Sequence, residues 1–275
     1  MINSSDMSKE AFRFTGNDAS NYEQYLGPLI FEPSAVELLS HLVSMPAQSV
    51  LETSCGTGRL TRHLRQYFPP TTQLIATDIS ADMMSLAEEQ LANTGITFKV
   101  ANAQELPFAD ASFNLVVNQY GLMFFPDKQK GFNEAYRVLK PGGYFVFATW
   151  DRTDDTPLFK LVIDDTVIPF FEGEDTSRFY TPFSLHDPEQ LLDFMKQAGF
   201  KHNKVTLVEF SGHTDSVMNI VSGLFVKHPL GREVKEKDPA AFNRIAAELE
   251  NRLTAYFGSL PFDFALKAWI GIGQK

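Results

Sequence analysis

Val50-Leu51-Glu52-Thr53-Ser54-Cys55-Gly56-Thr57-Gly58-Arg59-Leu60 is a β-branched and aliphatic run that passes through two closely spaced glycines into a segment with helical spacing. Glycine lets a backbone come close to a ligand, and the free N–H groups of the helix start attract a carboxylate or phosphate. Alone, such a strand–turn–helix unit is a weak signal. Twenty positions after Gly58, at the end of the run QLIATD, stands Asp78. A carboxylate there can accept both hydroxyls of an adenosine ribose, and the pair is moderately specific.

Outward from this unit, short β-branched and aromatic runs alternate with stretches at helical spacing from Gln48 to Trp150, as in βαβ units around a parallel sheet. A helix from about Pro33 is expected to carry Val36, Leu39 and Val43 on one face and to stop before Pro46, lying against the sheet. SVLET is the first strand and QLIATD the second. Ser80 is placed to cap a helix whose Met84, Ala87 and Leu91 share a face until Asn93 and Gly95 end it. ITFKV alternates, whereas FNLVVN is apolar enough for a central strand covered on both faces. Phe132, Ala135, Tyr136 and Leu139 mark the next helix, which Lys140-Pro141-Gly142-Gly143 breaks before the strand YFVFATW.

After Trp150 the pattern lapses for roughly three dozen residues, longer than a compact domain leaves without regular structure unless the segment has a function. Asp187 then caps a helix with Pro188 in its first turn and Gln190 at the capping-box position, packing through Leu191, Phe194, Met195 and Ala198 up to Gly199. KVTLVEF follows, and FDFALKAWIGI finishes the pattern with Phe262, Phe264, Leu266, Ala268 and Ile270 in strict alternation. Between those strands a second insertion centres on a helix from Asp238-Pro239, with Phe242, Ile245, Leu249, Leu253 and Tyr256 along one face. The expected organisation is N-terminal helices and an α/β core over 1–150, a lid insertion over 151–186, core helix and strand over 187–212, a helical lid insertion over 213–260 and a final core strand over 261–275. No internal repeat interrupts it.

With 275 residues and 44% hydrophobic content the chain can bury a full core. The formal net charge of -10 is spread along its length, without the basic stripe a phosphate backbone needs, so no nucleic-acid partner is expected. One cysteine, Cys55, excludes an internal disulfide and a thiolate metal cage, which suits a reducing compartment, so the expected location is cytoplasmic. The opening MINSSDMSKEAFRFTG lacks a basic then apolar export pattern, and no uncharged run approaches bilayer length, so neither secretion nor a membrane partner is expected.

Nicotinamide dinucleotide and S-adenosylmethionine sites both pair a glycine turn with an acid after the second strand. The dinucleotide fingerprint wants Gly or Ala three residues after its second glycine, where this chain has Thr61. Glu52 weakens that reading further, because an acid entering the turn repels a pyrophosphate but can help hold the ammonium of an amino-acid ligand. Here the sequence resembles the class I S-adenosylmethionine-dependent methyltransferases, in particular the small-molecule type whose first motif runs Val-Leu-Glu-Val-Gly-Cys-Gly-Thr-Gly. LIATDIS with nearby Met83, VANAQELPFADASFNLVVNQYGLMFFPD and EAYRVLKPGGYFVFATW are similar to later motifs of that family, in its order and spacing. The likeness covers about residues 22 to 150. It implies a Rossmann-like, doubly wound α/β fold with a seven-stranded, mostly parallel sheet whose last strand is antiparallel, with the lids inserted.

By that resemblance, Glu52, Ser54, Gly56 and Gly58 surround the methionine part of S-adenosylmethionine, Asp78 the ribose, Ile79 and Met83 the adenine face, and Asn102 and Ala103 the adenine edge. Two departures stand out: Ser54 replaces the family's first glycine and Asn102 its usual aspartate. Serine keeps the backbone N–H, and an asparagine carbonyl still accepts from an amino group without the strength of a charge, so a modestly weaker cofactor affinity follows. Asn118 and Gln119, with Tyr120, end the fourth strand where open α/β sheets face the ligand crevice, which makes them candidates to touch the transferring methyl or the acceptor. Tyr22 and Tyr25 fall where similar enzymes fold an N-terminal segment over the cofactor, and aromatic faces attract a sulfonium; an amphipathic helix packed by its aromatics accounts for them equally.

Cys55 reads as a small filler of the turn. His186, His213 and His228 lack metal-ligand spacing; none is singled out as a general base, and no metal is expected. Pro169-Phe170-Phe171 with Phe179, Tyr180 and Phe183 either line an acceptor pocket or form the lid's own core. The expected activity is methyl transfer by in-line displacement to a small molecule whose acceptor atom is open, in a monomer or homodimer. Its alternatives are a non-catalytic module that binds S-adenosylmethionine or S-adenosylhomocysteine, then an NAD-dependent dehydrogenase.

Overall fold

The computed structural model describes residues 18–43 and 45–275. The opening stretch read above for export signals lies outside them. Among the described residues, no helix is long and apolar enough to cross a membrane. The chain divides into two compact units, one of Phe31–Asp151, Pro182–Phe210 and Lys267–Lys275, the other of residues up to Ile30, Arg152–Thr181 and Ser211–Leu266.

The strands are β1 Ser49–Thr53, β2 Gln73–Asp78, β3 Ile96–Val100, β4 Phe113–Gln119, β5 Leu139–Trp150, β6 Lys201–Thr214 and β7 Phe262–Gln274. They form a seven-stranded sheet in the order β3-β2-β1-β4-β5-β7-β6. β1 pairs in parallel with β2 and β4, β2 with β3 and β4 with β5, while β7 runs antiparallel to β5. This is the doubly wound, mostly parallel α/β sheet with one antiparallel strand that the family resemblance implies. Chain order reverses between β1 and β4, and in such sheets ligands bind beyond the carboxyl ends of the strands at that point.

Five helices accompany the sheet's unit: α1 Glu32–Ser40, α2 Arg59–Tyr67, α3 Ala81–Gln90, α4 Lys128–Val138 and α5 Pro188–Ala198. Ser80 caps α3 by accepting from the Met83 N–H at 3.3 Å, and Asn93 and Gly95 leave it with φ of 63° and 75°. Asp187 caps α5 and Gly199, at φ 101°, closes it. Two expectations for these helices need correction. α1 buries Ser34, Ala35 and Leu38, with Leu42 just beyond it, and turns Val36 and Val43 outward at 54% and 65% exposure. Spacing alone admits either apolar stripe, and packing against α2 selects the smaller residues. α4 stops at Val138, so Leu139 opens β5 instead of closing the helix, and Pro141 to Gly143 bulge between the pairs Phe113↔Leu139 and Leu115↔Tyr144.

The other unit is helical. Residues 153–183, expected to lack regular structure, fold as short 3₁₀, α and π turns, whose irregular repeat hides them from a 3.6-residue search. The second insertion supplies α6 Pro229–Lys237 and α7 Pro239–Phe257. Asp238 caps α7, which buries Ala241, Ile245, Leu249 and Leu253 but leaves Tyr256 59% exposed, one turn past the expected face. α7 packs on the turn Lys160–Val167, so the two insertions share one core. Phe171 and Phe179 are buried within it, their ring centroids 4.9 Å apart, and the Arg178 guanidinium lies 4.2 Å over Phe179 while pairing with Glu233. These phenylalanines form part of the helical unit's own core.

Candidate functional site

The glycine turn is wound left-handed at three of its five central residues. Ser54, Gly56 and Gly58 take φ of 57°, 56° and 86°. At Gly56 a Cβ would meet nothing within 4 Å, so its face of the backbone is open. Gly58 is different: a Cβ there would lie 3.0 Å from Leu91 Cδ1 and 3.3 Å from Ala87 Cβ, so this glycine lets α2 close on α3. Ser54 occupies, as a chiral residue, a conformation that costs about 1–2 kcal/mol. Its side chain fills the space beside Gly121, where a Cβ would come 2.3 Å from Ser54 Oγ.

Asp78 ties this turn to the end of β2. Its Oδ2 accepts the Gly56 N–H and its Oδ1 the Ser80 N–H, each at 2.8 Å. Each oxygen keeps lone-pair capacity for a hydroxyl. Burial raises the carboxyl's pKa, and the backbone N–H groups of Ser80, Gly56 and Ile79 partly oppose that. Glu52, in β1, is buried to 1% exposure, and its Oε2 finds no hydrogen-bond partner among the described residues. Desolvation pushes its carboxyl up to about 8, with the nearby Thr61 hydroxyl acting against and Asp78 adding to the rise. A buried carboxyl with one unpartnered oxygen is a ready receptor for a cation.

The remaining candidates fall at the strand ends. Ile79 is 71% exposed immediately after Asp78, whereas Met83 is buried in the first turn of α3. Asn102 is exposed, and its Oδ1 already accepts the Gln104 N–H at 2.9 Å, leaving one lone pair for an amino group. Ala103 beside it is half-buried. Asn118 is fully buried, donating to Thr53 O and Oγ1 and accepting from the Gly121 and Leu122 N–H groups, so it holds the end of β4 to the glycine turn. Gln119 is half-buried and donates to Ser34 Oγ at 3.1 Å. Tyr120 is a packing residue, stacked on Trp150 with centroids 3.8 Å apart. Tyr22 and Tyr25 lie in the helical unit, both half-buried, with Tyr25 backing onto Gly223.

Cys55 sits with Ala76 and Met84 in a buried apolar cluster, and burial pushes its thiol up, so it fills space. His228 caps α6, His186 meets the Phe183 carbonyl and His213 pairs with Asp263 at the surface. Among the described residues no group of three or more His, Cys, Asp or Glu could hold a metal ion. Ser34 and Gly121 escaped the sequence reading. Both matter through neighbours distant in the chain, a relation no local spacing encodes.

Comparison with known proteins follows the same segment. The methyltransferase-domain family model matches residues 51–147. Over 168 residues the chain is 32% identical to a ubiquinone/menaquinone biosynthesis C-methyltransferase of Klebsiella pneumoniae, spanning 56% of this chain and 67% of that protein. It is also 32% identical over 172 residues to a demethylmenaquinone methyltransferase of Lactiplantibacillus plantarum, spanning 56% of this chain and 70% of that one. Among solved structures, phosphoethanolamine N-methyltransferase 2 of Haemonchus contortus, in complex with S-adenosyl-L-methionine, aligns with a TM-score of 0.61 at 19% identity, over 100% of this chain and 60% of that one.

Proposed function

The chain belongs to the class I S-adenosylmethionine-dependent methyltransferases, and from that premise we propose that it moves a methyl group by in-line displacement to a small organic acceptor. The observation that carries the assignment of the site is Glu52: a buried carboxyl with one unpartnered oxygen, four positions before Gly56, whose backbone face is open. An α-ammonium beside it restores the charge that burial suppresses. Glu52, Ser54 and the Gly56 backbone hold the methionine end, Asp78 the ribose hydroxyls, Ile79 and Met83 the adenine face, and Asn102 and Ala103 its edge, with Gly58 keeping the turn closed on α3. Asn118 fixes the strand end against which the methyl group travels.

S-adenosylmethionine supplies a methyl on a sulfonium, already a good leaving group. The protein's work is therefore to position and desolvate the nucleophile. The insertions at 151–186 and 213–260 lie beyond the family model's last matched residue, 147, which supports their role in acceptor choice. Tyr22 and Tyr25 lie in the same unit as most of those insertions. A single cysteine supports a cytoplasmic enzyme.

Calorimetric titration with S-adenosylmethionine, then incubation of metabolite pools with isotopically labelled methyl donor, tests this reading. Micromolar binding with a labelled small molecule is expected. Binding with no labelled product would turn the reading to a non-catalytic binding module, and no binding would reject it.

A further inference from the structure

We propose that Gln119 orients the acceptor, its side-chain oxygen Oε1 accepting a hydrogen bond from an O–H or N–H of the molecule that is methylated. This rests on methyl transfer being the reaction. Gln119 is the last residue of β4, at the carboxyl end of the strand that adjoins β1 where chain order reverses. Alternation sends neighbouring side chains to opposite faces. Asn118 therefore reaches the glycine turn, with Ser54 Oγ 3.4 Å from its Nδ2, while Gln119 reaches Ser34 in α1.

The amide of Gln119 is held by one end. Nε2 donates to Ser34 Oγ at 3.1 Å, and that hydroxyl in turn shares a 2.5 Å hydrogen bond with the Tyr120 phenol. Ser34 and Tyr120 are buried, at 2% and 5% exposure. Oε1 makes no hydrogen bond with any described residue on a side chain that is only half-buried. An amide whose nitrogen is anchored presents its carbonyl in a defined direction, as an acceptor only. It is no base: it holds a donor group without removing its proton.

The anchor itself is strained. Tyr120 takes φ 56°, a conformation that a bulky residue adopts only when its surroundings impose it. Those surroundings are the Trp150 ring stacked at 3.8 Å and 7°, the Phe31 ring edge-on at 5.9 Å, the Ser34 hydroxyl and the backbone bond from Tyr120 N to Ala148 O. Turning the backbone left-handed at Tyr120 brings its phenol to Ser34, and thereby sets Gln119. Phe31 and Phe210, half-buried, flank the stack on Trp150 at 6.3 Å each. An aromatic surround with one fixed carbonyl fits a flat, hydroxyl- or amino-bearing acceptor.

Gln119→Leu, Gln119→Glu and Ser34→Ala are compared with the unmodified chain by S-adenosylmethionine calorimetry and by initial rates of methyl labelling on the metabolite fraction that the unmodified chain labels. Gln119→Leu is expected to bind S-adenosylmethionine within about twofold of the parent and to lose at least about tenfold in kcat/KM, chiefly through KM. Gln119→Glu, which keeps an accepting oxygen, recovers most of that loss. Ser34→Ala raises KM by roughly threefold at unchanged kcat. Labelling by Gln119→Leu at the parent rate, a Glu variant no better than Leu, or an equal loss of cofactor affinity overturns the proposal, the last making Gln119 a cofactor ligand. A parent chain that binds S-adenosylmethionine and labels nothing rejects the methyl-transfer reading, and this inference falls with it.

Discussion

Binding of S-adenosylmethionine should expel a proton, and Glu52 is its source. Burial holds the carboxyl at about 8, so at pH 7 roughly ten molecules in eleven carry it protonated. An ammonium beside Oε2 favours the carboxylate, so the bound state holds it ionised and the proton leaves. The free α-amine, with an ordinary pKa of about 7.7–8.0, takes back roughly 0.1–0.2 of a proton. Net release of about 0.7 to 0.8 is expected at pH 7, with affinity rising by up to about tenfold per pH unit from roughly 5.5 to 7.5. Stability runs the other way. The folded value lies above the ordinary 4.5, so the stability this group lends is complete below about 4.5 and is lost as pH rises through 8, by at most about 5 kcal/mol at about 1.36 kcal/mol per pH unit. Calorimetry at pH 7 in buffers of different ionisation enthalpy counts the protons. Glu52→Gln should abolish the release and flatten the melting temperature between pH 5 and 8. Release below about 0.2 by the parent chain would refute the reasoning, because it would mean that no cation reaches this carboxyl.

Asp78→Ala removes charge-assisted acceptors for the ribose and unties Gly56 from the end of β2, so cofactor affinity should fall by about ten- to a hundredfold, read by calorimetry. Gly56→Val puts a branched side chain at φ 56° and onto the open backbone face; binding should drop below detection while far-UV circular dichroism stays near parental. Gly121→Ala drives a Cβ to 2.3 Å from Ser54 Oγ and should destabilise by about 1–3 kcal/mol in urea unfolding. Ser54→Gly alone should stabilise by about 1 kcal/mol by releasing φ 57°, and combined with Gly121→Ala it should recover at least half the loss; strict additivity of the two changes would disprove the contact.

The sequence by itself determined the sheet and pointed to the residues proposed to hold the cofactor. Strand runs, helix caps and glycine spacing are written in neighbouring residues: SVLET, QLIATD and FNLVVN are legible because strand propensity and burial act over five to seven residues, and Asp78 is legible because a βαβ unit sets its distance from the glycine turn. Where the deciding partner is far along the chain, that legibility ends. Which stripe of α1 is buried, why Gly58 lacks a side chain, that Ser54 is strained against Gly121 and that Ser34 joins Tyr120 across 86 positions were settled only when packing brought those groups together. The short π and 3₁₀ turns of the insertions belong to the same class: their conformation comes from the shared core of two segments distant in the chain, Lys160–Val167 and Pro239–Phe257, and no local period records it.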